Sequence, residues 1–265
     1  RKKATIMAKS EGGIGETIKT MVWALLIAGA FRTLFFQPFW IPSESMKSTL
    51  LIGDFIFVNK MAYGYSRYSC PFGICPISGR ILGNDPERGD VVVFRHPVNG
   101  SDMIKRLIGL PGDQIQMKQG VLYINGAAAP QVADGVFEEV FEPQGPMANR
   151  PGCANAPSMG EICEKPRFRE TLPNGLTHTI LNIGDSTGLP DNTDVYTVPE
   201  KHYFFMGDNR DNSTDSRYPQ SSGGVGFVSE EFLIGRADRV MFSSAGSRML
   251  YFWTWRSDRY YEAIE

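Results

Sequence analysis

The chain of 265 residues lacks the common hydrolase and nucleotide-binding signatures. It has no H-E-x-x-H pair for a catalytic zinc, no G-x-S-x-G elbow and no glycine-rich phosphate loop ending in lysine. Histidine is scarce. His96, His178 and His202 are the whole set, none has an obvious partner, and a Ser-His-Asp triad is unsupported. Charge of one sign is also missing. The 27 Lys and Arg face 29 Asp and Glu, and a net charge of -2 gives nucleic acid no electrostatic foothold. Cysteine is limited to Cys70, Cys75, Cys153 and Cys163, two local pairs that suit either two disulfides or one zinc site. There is no internal repeat, no Gly-X-Y period, and no long amphipathic helix after residue 42. What is abundant is 28 Gly and 17 Pro, a turn-rich composition that goes with short strands, in a chain 42% hydrophobic.

One apolar stretch is long enough to matter. Arg1, Lys2, Lys3, Lys9 and Lys19 outnumber Glu11 and Glu16 in a basic N-terminus, residues 1–19. Thr20 to Phe31 is uncharged, Arg32 interrupts, and Thr33 to Ile41 is again mostly apolar. The stretch 20–41 is about 22 residues, or roughly 33 Å as a helix, enough to cross a bilayer. Pro38 and Pro42 would stop it, and Trp40 would sit at the interface. The competing reading is a cleaved signal peptide, with Ala28-Gly29-Ala30 as the small-x-small site; a buried core helix is the third. For an anchor, the basic flank stays cytoplasmic and everything after Trp40 is exported, which favours disulfides over zinc.

The remainder reads as short β-segments. Asp54 to Val58, Val91 to Phe94, Met103 to Leu110, Val121 to Ile124, Tyr203 to Met206 and Ile234 to Ser243 are strand candidates. Asn125-Gly126 has the residues of a type I′ hairpin turn, and Pro173-Asn174-Gly175 separates Arg167–Leu172 from Thr177–Leu181. A short helix is possible at Ser229–Leu233. The expected fold class is mainly β: an antiparallel catalytic β domain (42–115 and 201–247, with an insertion at 63–86), an inserted accessory β domain (116–200), one preceding transmembrane helix and an aromatic tail (248–265). The 116–200 stretch is expected to be loop-rich.

Ser43 and Ser45 fall just past the anchor, in Ile41-Pro42-Ser43-Glu44-Ser45-Met46-Lys47. A serine attacks only when a base takes its proton, and without a histidine the base must be lysine. A free lysine is neutral in about one copy in two thousand at pH 7, so it must be desolvated to serve. Of Lys47, Lys60 and Lys105, Lys47 lies two residues from Ser45 with no apolar cover close behind it. Lys105, in Met103-Ile104-Lys105-Arg106-Leu107-Ile108, has the best apolar setting. The plain alternative makes Lys105 and Arg106 ordinary strand charges. A second dense segment, Gly207 to Arg217, resembles the start of a calcium loop but lacks its glycine and its final glutamate. It reads either as a solvated loop or as a turn packed against the site, with Asp/Arg pairs fixing the backbone.

Together these blocks resemble the type I signal peptidases, the bacterial leader peptidases of peptidase family S26. The blocks are Pro38 to Met46 with Leu50 to Asp54, Gly89 to Phe94, Ile104 to Asp113, and Gly207 to Arg217. The resemblance implies a membrane-bound serine endopeptidase that removes N-terminal signal peptides after small residues at -1 and -3. It implies Ser45 as nucleophile, Lys105 as general base, and Ser43 with the Ser45 N–H as oxyanion donors. Ser213 would orient the lysine, Asp215 and Arg217 would support that loop, and Phe39, Ile41, Met46, Leu50 and Ile104 would line the substrate pockets. Glu44 departs from the family's usual glycine, with a side chain free to point to solvent. No metal or cofactor is implied. The partners implied are signal peptides of preproteins delivered by the secretion translocon, and the phospholipid membrane, with no nucleic acid. The location implied is the bacterial inner membrane, single-pass, with the catalytic domain on the periplasmic side. A Cys153–Cys163 disulfide is expected there; the pairing of Cys70 and Cys75 stays open. Two rivals remain, a self-cleaving repressor with the same dyad and a non-enzymatic peptide-binding β domain.

Overall fold

The structure, a computed structural model, describes residues 13–70, 73–145, 147–246 and 251–264. The basic residues expected to hold the N-terminus in the cytoplasm, Arg1 to Lys9, lie outside them, as does part of the aromatic tail.

One helix, Ile14–Leu34, leads the chain. It has no proline, is rich in Ala, Leu and Ile, and buries none of its residues against the rest of the protein. A helix apolar on every side with nothing packed on it suits lipid. Its 21 residues and mean hydropathy of 1.4 make it long and apolar enough to cross a membrane. Arg32 falls in the last turn, where the helix dipole favours a cation. The helix starts earlier than the expected 20–41 span and stops sooner. Phe36–Trp40 is instead a strand, paired with Asp54–Asn59. Aromatic residues favour a pleated, half-buried surface, and Pro38 is tolerated because this is an edge strand.

The main sheet is antiparallel and seven-stranded, in the order Phe36–Trp40, Asp54–Asn59, Leu233–Ser243, Val91–Arg95, Asp102–Gly109, His202–Met206, Val228–Ser229. Asp54–Asn59 alternates buried with half-buried residues, whereas Val91 to Phe94 are all buried. The reason is that both faces of Val91–Arg95 are covered. Val91 and Val93 join a cluster with Ile56, Val58 and Ile234, while Val92 and Phe94 join another with Leu107, Phe205 and Leu233.

The middle of the chain is more regular than expected. Gln131–Val140, Ile162–Thr171 and Thr177–Leu181 form a three-stranded sheet, and Gln114–Lys118, Val121–Ile124, Ala127–Ala128 and Tyr196–Thr197 a four-stranded one. Asn125 and Gly126, at φ 52° and 81°, make the hairpin turn that their sequence suggests. A third core cluster joins Ile115, Leu122 and Leu172 to Ile108, Phe204 and Met206 of the main sheet, so the middle of the chain shares apolar core with that sheet. Ser229–Leu233 contains only a single 3-10 turn, Glu230–Phe232.

Candidate active site

After Trp40 the chain leaves the edge strand and turns tightly. Ile41, Met46 and Leu50 are buried and pack in the same cluster as Ile56 and Val91. Lys47 N donates to Glu44 O at 3.0 Å and Leu50 N to Met46 O at 2.8 Å, a tight turn pinned by its apolar side chains. That turn presents Ser43 and Ser45 to a cleft of about 590 Å³ whose wall includes Met103, Lys105, Asn149, Asn212 and Thr214.

Lys105 comes from the strand Asp102–Gly109, opposite Val92 in register. Its Nζ lies 2.6 Å from Ser45 Oγ and 3.1 Å from Ile104 O. Lys105 is 2% exposed and Ser45 7%. Burial brings the amine down from 10.5 to about 8, Asp215 and Asp208 partly opposing the shift. A lysine so placed keeps an appreciable neutral fraction near neutral pH, which a base requires. Lys47 is not solvated either. It is 1% exposed, because the accessory strand Gln131–Val140 covers it and supplies Glu139 at 2.7 Å. The cover is distant in sequence, so no local pattern reveals it.

The Gly207 to Arg217 segment is buried and ion-paired, not a solvated loop. Arg217 Nε and Nη2 donate to Asp215 at 2.9 and 2.8 Å, and Arg217 also caps Arg210 O at 2.6 Å. Burial alone would raise the Asp215 carboxyl, but Arg217 holds it below the usual carboxylate range. Asp215 Oδ2 accepts from Gly207 N at 3.0 Å. Asn209 N donates to Ser45 O and Asn209 Nδ2 to Glu44 O, both at 3.1 Å. Arg106, the neighbour of Lys105, is fully buried and binds Asp208 through two nitrogens. The loop therefore grips both the serine turn and the lysine strand.

The residues singled out from sequence do not all meet. Ser43, Ser45 and Lys105 share the cleft, and Ser43 is exposed on its wall. Ser213 lies beside them, 6% exposed, but among the described residues its hydroxyl makes no hydrogen bond to Lys105. Phe39 and Ile104 are half-buried at the edge of the core cluster, and Ile41, Met46 and Leu50 lie within it, beneath the surface. Glu44 departs most from expectation. It is 7% exposed and accepts from Lys165 Nζ at 3.0 Å, from Lys47 Nζ at 3.3 Å and from Asn212 Nδ2. Gly207 was passed over as well. A Cβ there would lie 2.5 Å from Ser45 O and overlap Ser213. The tight backbone approach is what glycine permits; only its place at the end of a strand before Asp-Asn-Arg could have flagged it.

Both cysteine pairs are bonded, Cys70 to Cys75 and Cys153 to Cys163. Among the described residues no group of His, Cys, Asp or Glu is arranged to hold a metal.

A serine hydroxyl against a desolvated amine, with no histidine among the described residues that line the cleft, suits a serine peptidase of the lysine-base class on an antiparallel β scaffold. Comparison with known proteins narrows that class. The family described as signal peptidase, peptidase S26, matches residues 14–242. Signal peptidase I of Rickettsia typhi is 38% identical, covering 89% of this chain and 83% of its own length. That of Rickettsia massiliae is 40% identical, covering 89% and 80%. A crystal structure of a signal peptidase I from Enterococcus faecalis V583 is 28% identical with a TM-score of 0.30, covering 58% of this chain and 97% of its own. The chain belongs to the signal peptidase family, peptidase S26, and is a peptidase.

Proposed function

We propose that this protein is a membrane-anchored serine endopeptidase that cuts N-terminal signal peptides from exported preproteins after small residues at -1 and -3, with Ser45 as nucleophile and Lys105 as general base. The observation that carries the assignment is the 2.6 Å approach of Lys105 Nζ to Ser45 Oγ in a buried setting. Neutral Lys105 takes the Ser45 proton as Oγ attacks the scissile carbonyl. The Ser45 N–H and the Ser43 hydroxyl hold the oxygen as it becomes negative. The ammonium then gives its proton to the departing amine, leaving an acyl-Ser45. A water that enters after the amine leaves is deprotonated by the same lysine and hydrolyses the ester. Preference for small side chains has a physical basis here. Met46 and Leu50 are fully buried, Phe39 and Ile104 pack half-buried against their cluster, and we assign this apolar surface to the small side chains at -1 and -3.

The division of labour we assign keeps 42–115 and 201–247 as the catalytic domain and 116–200 as its accessory domain. The helix Ile14–Leu34 serves as a single anchor, and two disulfides fit the oxidising, periplasmic side of the inner membrane. The substrates are preproteins handed over by the secretion translocon with their apolar signals already in the bilayer, so a site close to the anchor meets the scissile bond without a long search. The test is processing of a preprotein by the purified full chain in lipid vesicles, beside Ser45→Ala and Lys105→Ala. Cleavage by the parent and by neither variant is expected. Cleavage retained in either variant would overturn the dyad.

A further inference from the structure

Glu44 stands between the two serines on the cleft wall, and its carboxylate is drawn into a buried ring of charge. Its carboxylate receives Lys165 and Lys47, and both lysines also bind Glu139, at 2.7 Å each. Gln144 closes the ring. Its Oε1 accepts from Lys47 at 2.9 Å, and its Nε2 donates to Glu139 at 2.7 Å. Lys47 and Lys165 are 1% and 0% exposed. Burial alone would raise the Glu139 carboxyl, but the two ammonium groups hold it low. Two members belong to the serine turn and three to the accessory region, Glu139 and Lys165 on its paired long strands Gln131–Val140 and Ile162–Thr171.

The backbone completes the argument. Glu44 O accepts from both Lys47 N and Asn209 Nδ2. In a trans peptide the C=O and the following N–H point in opposite directions, so fixing Glu44 O fixes where the Ser45 N–H is aimed. That N–H donates to no protein group among the described residues. Glu44 is thus held at its carboxylate from the accessory strands and at its carbonyl from the Asn209 loop. Burying four charges is costly unless each is paired, and a site with no use for rigidity would not need it.

We infer that the Glu44–Lys47–Glu139–Lys165 ring is a clamp by which the accessory strands position the oxyanion donor of Ser45, making Glu44, Glu139 and Lys165 positioning residues for catalysis. The inference rests on the reading of Ser45 and Lys105 given above. Breaking the ring lets the turn relax, and a misplacement near 1 Å at a reacting group lowers kcat by about 100-fold. Substrate is held elsewhere, so KM changes little. Lys105 is not a member, so its titration stays where it is.

The experiment uses the full-length chain in detergent micelles and a peptide with Ala at -3 and -1. Glu44→Gln and Lys165→Met are each expected to lower kcat about 10- to 100-fold with KM within about twofold, and with an unchanged midpoint in the pH profile. The double variant should fall little further, since either change opens the same ring. Arg167→Gln removes an ion pair with Asp134 on the same two strands, half-exposed and outside the ring, and should leave kcat alone. Thermal melts establish that each variant folds; if Glu44→Gln does not, Glu139→Gln, which keeps both lysines, carries the same expectation. Parental kcat in folded Glu44→Gln, fully additive losses, or a shifted pH midpoint would overturn the clamp. Ser45→Ala and Lys105→Ala separate the two ideas. Cleavage by those variants refutes the dyad, whereas their inactivity alongside a fully active Glu44→Gln refutes the clamp alone.

Discussion

The pH dependence of cleavage follows from one buried amine. In the mechanism proposed above, Lys105 must be neutral to accept the Ser45 proton, and burial sets its midpoint at about 8. The neutral fraction is then about 1% at pH 6, half at pH 8 and about 90% at pH 9, so kcat/KM should rise about 90-fold between pH 6 and 9 and then level off. An unshifted lysine would give a different curve, climbing about tenfold per pH unit up to about pH 10 with no plateau before it. The assay is initial-rate cleavage of a peptide with no titrating group near the scissile bond. The same lysine makes a linked prediction for stability. Its folded-state midpoint is depressed, so between about pH 8 and 10.5 the unfolded chain binds more protons and stability rises with pH. Below pH 8 the full penalty of burying the ammonium is present. Lys105→Met removes it and should stabilise the fold there by an amount on the order of 3 kcal/mol while abolishing cleavage. A flat rate profile from pH 6 to 9, or a rise that stays log-linear from pH 8 to about 10, would refute the reasoning.

Other outcomes can be measured on the same preparation. Gly207→Ala pushes a methyl against Ser45 O and Ser213, and should lower kcat by about 100-fold through displacement of the serine turn, read in steady-state kinetics. Arg217→Met strands the Asp215 carboxylate inside the protein and should cost about 3–5 kcal/mol, read by thermal or urea unfolding. The Cys153–Cys163 bond closes a loop of sequence separation 10, and replacing both by serine should lower stability by about 3 kcal/mol; thiol titration of the parent should find neither sulfur free.

What could be read from sequence was local. Asp54 to Val58, Val91 to Phe94 and Val121 to Ile124 declare themselves as strands because their periodicity or apolar run is contiguous. A lysine base was reachable by elimination, since no histidine partner offered itself and Lys105 had the most apolar setting; Ser45 over Ser43 came from the family resemblance. Phe36–Trp40 escaped because an aromatic run continuing an apolar helix looks the same as more helix; pairing with Asp54–Asn59 decides it. Gln131–Val140 escaped because its exposed ribbon carries no clean alternation, burying little along its length. The environments of Glu44 and Lys47 were illegible for the same physical reason. Their partners Glu139 and Lys165 arrive from about a hundred residues away, and nothing local marks a charged side chain for burial.

The junction between helix and sheet has no slack. Phe35 alone separates Leu34 from Phe36, Phe35 O accepts from Lys60 N at 3.0 Å, and Leu34 O accepts from Tyr65 OH at 2.7 Å. A helix seated in a bilayer therefore carries the sheet as a rigid handle and not as a tethered ball. The height of Ser45 above the lipid becomes a property of the fold, set by how many residues lie between the last helical turn and the serine. Under the function proposed above the protein would work as a depth gauge: a scissile bond would be cut when its distance from the bilayer matches that height, and lengthening the junction would change which bonds are within reach before it changed how fast any of them is cut.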